Sequence, residues 1–170
     1  MKRILDIILL LVSIAALSVF FAQVEIQIEG SAGWGKNLPT WRIEDHWLLD
    51  LFFGGRPMTG YHAWVLPFMF LIFHFGFVLT QRWSRWLEAR ALASLIIFWA
   101  LEDWLWFMLN PAFGPDRFNA AHVPWHKNWF LGVPVDYWVF GAIAIALLWY
   151  SFFRAPRAFP GSRTPVETPK

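Results

Sequence analysis

The sequence contains no cysteine, and few of its residues are charged. Without thiols the chain cannot form disulfides, thiolate metal sites or iron–sulfur clusters. Charged residues make up 15% of the 170 residues, and the formal net charge of +2 is too small to hold a polyanion. We therefore expect no nucleic-acid partner.

The sequence also lacks the short motifs of several enzyme classes. It has no HExxH of the zincins, no ExxH pair of the ferritin-like di-iron proteins, no G-x-S-x-G elbow and no P-loop. Five histidines are too few for the histidine-rich di-iron membrane hydroxylases. Any catalytic site must therefore be assembled from residues that are distant in the sequence.

Apolar residues, by contrast, dominate the composition. They form 58% of the chain, and 13 residues are tryptophan. A soluble fold of ~150 residues hides only about 70% of the surface that its unfolded chain exposes, so the bilayer is the expected solvent. Four apolar runs reach the ~20 residues that a membrane-spanning helix needs, at about residues 4–22, 61–80, 91–109 and 135–153. The sequence predicts an all-α integral membrane protein, a four-helix bundle over residues 1–154 with a flexible cytoplasmic tail over 155–170.

The distribution of lysine and arginine predicts the orientation of the bundle. Nine of these residues lie at the chain ends and between the second and third spans, whereas five lie in the two long loops. By the positive-inside rule both termini are cytoplasmic and the long loops are outside. We expect a multi-pass protein of the cell (inner) membrane, with an uncleaved first span and the tryptophans mostly in the two interfacial belts.

The two long loops have patterns of their own. Residues Val24–Glu29 alternate between apolar and polar, which predicts a short strand. Thr40 is placed to cap an amphipathic surface helix over about residues 41–53, with an apolar stripe and a polar stripe that carries His46 and Asp50. In the second long loop, Pro124 predicts the start of a short helix.

Two adjacent acids in the third span are the strongest indication of a functional site. An ionised Glu102 or Asp103 at membrane depth costs about 2.5–3.5 kcal/mol on insertion scales, and no span contains an interior lysine or arginine. The compensation is a neighbouring histidine, a cation that reaches in from a long loop, a bound metal ion or a proton. We predict Glu102 and Asp103 as catalytic residues.

Histidines and an aspartate on the predicted outer side suggest a metal site. His122 and His126 have the spacing HxxxH, although Pro124 between them interrupts helical geometry. Oxygen and nitrogen donors without sulfur suit zinc, iron or manganese. The predicted ligands of this divalent metal are His62, His122, His126, His46 and Asp136. His74 lies deeper in the second span and is the predicted ligand of a haem or pigment, the alternative cofactor.

Three functions follow from these residues. The first is a metal-dependent hydrolase or transferase that acts at the outer face on a lipid-linked substrate, with Glu102 or Asp103 as general base. The second is a cofactor-binding or structural subunit of a larger membrane complex, which has a membrane protein partner or forms a homo-oligomer. The third is a proton or ion path through His74, Asp103 and Glu102.

Overall fold

A computed structural model describes residues 2–53 and 55–155 of the chain. Four of its helices are long and apolar enough to cross a membrane. They are α1 (Lys2–Glu29), α3 (Gly60–Thr80), α4 (Arg85–Leu109) and α5 (Val135–Phe153). The prediction of four helices long and apolar enough to span a membrane is confirmed. Of the predicted tail, residues 156–170 lie outside the described residues.

The first helix is longer than its apolar run, and the predicted strand at Val24–Glu29 is wrong. No glycine or proline interrupts the helix before Gly30, so the chain stays helical through the alternating segment. Gly30 adopts a φ of 65°, and its amide donates to the carbonyl of Ile26 at 2.9 Å, which ends the helix. As a result Glu25 and Glu29 lie one turn apart on the same helix face.

The fourth helix is the centre of the bundle. It begins at Ser84, whose hydroxyl accepts from the amide of Leu87 at 3.2 Å. It packs closely against α1 and α5 and, over a smaller area, against α3. Phe98 of α4 is fully buried against Ile14 of α1 and Met69 of α3, which makes an apolar core at the middle of the bundle.

Two long loops, residues 30–59 and 110–134, lie at one end of the bundle, which we call the loop end. In the first loop β1 (Arg42–Ile43) pairs antiparallel with β2 (Met58–Thr59), and α2 (Trp47–Phe53) lies between them. The predicted surface helix therefore begins at Trp47 instead of Trp41, because residues 42 and 43 are paired as a strand. Thr59, rather than Thr40, caps a helix: its hydroxyl accepts from the amide of His62 at the start of α3.

The second loop folds back over the ends of the helices. It contains a 3-10 helix (Pro115–Arg117) and a hairpin of β3 (Trp129–Phe130) and β4 (Val133–Pro134). The predicted helix at Pro124 is wrong, because Pro124 and Trp125 form only a turn. Val123 is fully buried in a second apolar cluster that also contains Phe107 of α4, so the loop is part of the folded core.

Candidate functional site

A cavity of about 240 Å³ lies at the loop end, between the helices and the two long loops. An engineered cavity of ~150 Å³ is enough to bind benzene, so this one has room for a small molecule or a head group. Every spanning helix and both loops contribute polar side chains to its wall. These are Glu25, Glu29, Arg56, His62, Glu102, Asp103, His126, Asp136 and Tyr137.

His126 of the second loop is held against an acid of α4. Its Nε2 lies 3.1 Å from Oδ2 of Asp103, and only 2% of the imidazole is exposed. The hydroxyl of Tyr137 donates to the same carboxylate oxygen. Asp103 therefore has a histidine and a tyrosine as partners. These partners compensate one of the two adjacent acids of α4.

Asp136 of α5 has a cation from the first loop as its partner. Nη2 of Arg56 lies 3.0 Å from Oδ2 of Asp136. The guanidinium also donates from Nε to the carbonyl of Phe53 at 2.7 Å and stacks over the ring of Trp34 at 4.5 Å. This ion pair is with Asp136 at the start of α5, and not with Glu102 or Asp103, the acids for which the sequence allowed a loop cation.

The charge of Asp103 also sets the protonation of His126. Burial by itself lowers the pKa of this imidazole, but the negative charge of Asp103, the hydrogen bond to it and the contact with Asp136 outweigh the burial. The pKa of His126 is therefore raised above its ordinary value of 6.5. This residue is suited to hold and deliver a proton near neutral pH.

The two acids of α1 form the opposite wall of the cavity. The hydroxyl of Tyr61 donates to Oε1 of Glu25 at 2.6 Å, and the amide of Gly35 donates to Oε1 of Glu29. Glu102 and Asp103 of α4 line the same cavity. Four acids from two helices, the two of α1 with Glu102 and Asp103, therefore surround one small space.

His62 also lies at the cavity wall, but its polar contact is local. Its Nδ1 lies 2.7 Å from the hydroxyl of Thr59, and its ring stacks on Trp34 with the two ring centres 4.0 Å apart. The threonine and the tryptophan fix the orientation of the imidazole. His62 thus joins the start of α3 to the first loop.

Three buried polar atoms of the cavity residues have no hydrogen-bond partner in the described part of the protein. They are Oε1 of Glu102, Nε1 of Trp106 and Nδ1 of His126. The last lies 3.5 Å from Oδ2 of Asp136, at the outer limit of a hydrogen bond. Buried polar atoms in proteins nearly always have a partner, so three of them around one cavity mark it as a place that receives a polar group.

Three of the predicted site residues lie elsewhere. His74 is near the opposite end of the bundle, where Nδ1 lies 2.7 Å from the carbonyl oxygen of Phe70 and Nε2 lies 3.0 Å from Glu88. His46 is exposed and accepts from the amide of Leu48 at 3.2 Å. His122 is exposed and bonds to Asn119 at 2.9 Å. The turn at Pro124 separates the HxxxH pair, so that only His126 enters the cavity.

These positions do not support the predicted metal site. Among residues 2–53 and 55–155, no group of three or more His, Asp or Glu side chains has the arrangement that would hold a metal ion. Of the five predicted ligands, His62, His126 and Asp136 line the cavity, whereas His46 and His122 do not. A bound zinc, iron or manganese ion stays a prediction from the sequence, as does a haem at His74.

Several residues of the cavity were not predicted from the sequence. Glu25 and Glu29 were assigned to a strand, although their i, i+4 spacing after an unbroken apolar helix also fits one helix face. Tyr137 of the cavity lies next to Asp136 in the sequence, and Tyr61, which donates to the cavity residue Glu25, lies next to His62. Nothing in the sequence distinguishes Arg56 from the other loop cations.

Comparison with models of protein families, with curated proteins and with solved structures finds no match to this chain.

Proposed function

We propose that this protein is a membrane enzyme that carries out acid–base chemistry on the polar group of a lipid-linked substrate in the loop-end cavity. One observation carries the proposal: Glu102 and Trp106 each leave a buried polar atom without a partner in the described part of the protein, and both line the cavity that His126 also lines. A substrate that enters the cavity would supply the missing donors and acceptors.

The contacts favour separate roles for the two adjacent acids. Asp103 already accepts from Tyr137 and faces His126, so it is suited to orient the imidazole. Glu102 has one carboxyl oxygen free of any partner, which makes it the better proton acceptor. His126, with its raised pKa, is the proton donor. These two groups could serve as base and acid in hydrolysis, with water as the second reactant, or in transfer of a group to a second substrate.

The proposed site faces the outer leaflet of the cell membrane. The support is the excess of lysine and arginine at the chain ends and between α3 and α4, which the positive-inside rule assigns to the cytoplasm. A lipid in the outer leaflet would then present its head group at the level of the cavity.

The other two functions have less support. Both ring nitrogens of His74 already have partners, so neither is free to bind a haem iron. A proton path from Glu102 toward His74 would have to cross the apolar core around Phe98, where the wall also contains Met69 and Phe73. An apolar barrier of this kind interrupts proton transfer.

The proposal is tested by incubating the purified full-length protein, in nanodiscs, with a total lipid extract of bacterial inner membrane. Lipids that disappear and products that form are identified by mass spectrometry. We expect turnover by the native protein and a loss of about 10²-fold or more in Glu102→Gln and His126→Asn, as for the removal of a general acid or base.

His122→Asn is the matched control, because His122 is exposed and lies four residues from His126. This variant should keep the native rate. Two results would overturn the proposal: no lipid is changed by the native protein, or Glu102→Gln and His126→Asn both keep the native rate.

A further inference from the structure

On the side that faces the membrane, the cavity is bordered by a cleft between α3 and α5. Both helices pack against α4, but they are not closely packed on each other in the described part of the chain. Leu66 of α3 and Phe140 of α5 line the cavity on either side of this gap. Phe140 is also 42% exposed, so its ring borders both the cavity and the region that lipid occupies.

The floor of the cleft is an apolar strip of α4. It consists of Ile96, Trp99 and Ala100, which line the cavity and are only partly covered by other residues. Other faces of the same stretch of helix are closed, since Ala93 and Phe98 are fully buried. The central helix is therefore uncovered on the side between α3 and α5.

The polar end of the cavity disfavours an anionic head group. Five acids line it, namely Glu25, Glu29, Glu102, Asp103 and Asp136. The cations are Arg56, which is paired with Asp136, and His126, which is paired with Asp103. Among the described residues that line the cavity, no further arginine or lysine is left for a phosphate, which would have to lie among carboxyl groups.

The unpartnered atoms match a neutral hydroxyl. Nε1 of Trp106 can only donate, and Oε1 of Glu102 can accept. A hydroxyl group donates one hydrogen bond and can accept two, so it is able to serve both residues, which lie one turn apart on α4. Glu102 is 2% exposed, which means that such a hydrogen bond would be sheltered from water.

We propose that the site takes a long-chain amphiphile with a neutral hydroxyl head, whose hydroxyl lies between Glu102 and Trp106 and whose hydrocarbon chain leaves through the cleft between α3 and α5 along Ile96, Trp99 and Ala100. The substrate enters sideways from the bilayer. This inference rests on the proposed function, which makes the bound molecule a substrate. It adds the chemical class of that substrate and its route of entry.

The test is photocrosslinking of the full-length protein in nanodiscs with dodecanol that carries a diazirine near the middle of its chain. On irradiation the diazirine loses dinitrogen, and the resulting carbene inserts into a neighbouring C–H bond. We expect adducts on the cleft residues Leu66, Ile96, Trp99, Ala100 and Phe140. An excess of unlabelled dodecanol should reduce them at least tenfold, whereas dodecyl phosphate should not.

Two substitutions in the cleft should differ in their effect on these adducts. Ala100→Phe fills the floor of the cleft and should reduce crosslinking about tenfold, whereas Phe140→Ala widens the cleft and should not reduce it. Ala146→Phe is the matched control, because Ala146 lies exposed on α5 outside the cavity wall. Trp106→Phe removes the donor and should weaken competition by dodecanol by about three- to tenfold, as expected for one hydrogen bond.

The inference is wrong if adducts are spread evenly over the exposed faces of α1, α3 and α5, if dodecyl phosphate competes as well as dodecanol, or if Ala100→Phe and Ala146→Phe crosslink alike. Should Ala100→Phe fail to fold, the smaller Ala100→Val takes its place. Crosslinking needs no turnover, so the two proposals fail separately. If a lipid is turned over but no cleft adducts form, only the inference about the substrate class and its entry route is wrong. If cleft adducts form without turnover, only the proposed enzymatic function is wrong.

Discussion

His126 Nε2 lies 3.1 Å from Oδ2 of Asp103, and this contact ties the second long loop to the central helix of the bundle. The imidazole is 2% exposed and the carboxylate 28%. The histidine of this pair is therefore shielded from water. A hydrogen bond to a charged partner contributes more to stability there than on a protein surface. Removal of either partner leaves the other without its hydrogen bond.

Replacement of this histidine should loosen the loop. We expect His126→Asn to lower the free energy of unfolding by about 1.5–3 kcal/mol, the usual range for a hydrogen bond to a charged group. His122→Asn, at an exposed position, should change it by about 0.5 kcal/mol or less. Thermal unfolding in detergent and protease cleavage within residues 110–134 measure both variants, and equal effects would contradict the role of the buried contact.

Stability of the loop should also depend on pH, with a sign that follows from His126. Its pKa is raised in the folded protein, so its contribution is fully present below the ordinary pKa of 6.5. The contribution is lost as the pH rises from there through the folded pKa. Hydrogen exchange of residues 110–134 should therefore accelerate with pH beyond the chemical trend. In His126→Asn this extra acceleration should vanish, and its persistence there would refute the assignment.

The middle of the bundle depends on the side chain of Phe98. This ring is fully buried, whereas Phe75 on α3 is 55% exposed. Phe98→Ala should cost about 3–5 kcal/mol, because it removes buried contacts and leaves a cavity. Phe75→Ala, the matched change on an exposed face, should cost about 0.5 kcal/mol or less. Unfolding in dodecyl sulfate gives both values, and similar losses would argue against a core at this level.

The hydroxyl group of Tyr61 should contribute to the stability of the folded protein. Its bond to Oε1 of Glu25, at 2.6 Å, satisfies a buried acid. Tyr61→Phe leaves that oxygen without its donor and should cost about 1–3 kcal/mol. Tyr150→Phe, a change of the same kind at the other end of the bundle, serves for comparison in the same unfolding measurement. A Tyr61→Phe variant as stable as the native protein would show that the bond contributes nothing.

The orientation in the membrane is tested on the cysteine-free background. Lys36 lies in the first long loop and Arg82 between α3 and α4, and both are exposed. A membrane-impermeant maleimide should label Lys36→Cys in intact cells and Arg82→Cys only after the membrane is opened. The reverse pattern would place the long loops, and the proposed site, in the cytoplasm.

The sequence by itself determined the four long apolar helices and the position of one acidic pair within the third of them. The spans are predictable because the bilayer requires about 20 apolar residues per helix, a local property of the chain. Glu102 and Asp103 are predictable for the same reason, since an acid within an apolar run is recognisable from its place in the sequence, whichever partner compensates it. The side of the membrane that the loops face rests on charge counts alone.

Tertiary structure decided which other residues join that pair. His122 and His126 are equivalent in the sequence, but the turn at Pro124 sends one outward and packs the other against Asp103. Glu25 reaches the cavity only because α1 stays helical to Glu29, against the local period of two. Both outcomes depend on packing between segments that are distant in the sequence, above all on the burial of Val123 against α4. No local sequence pattern predicts the free energy of such packing.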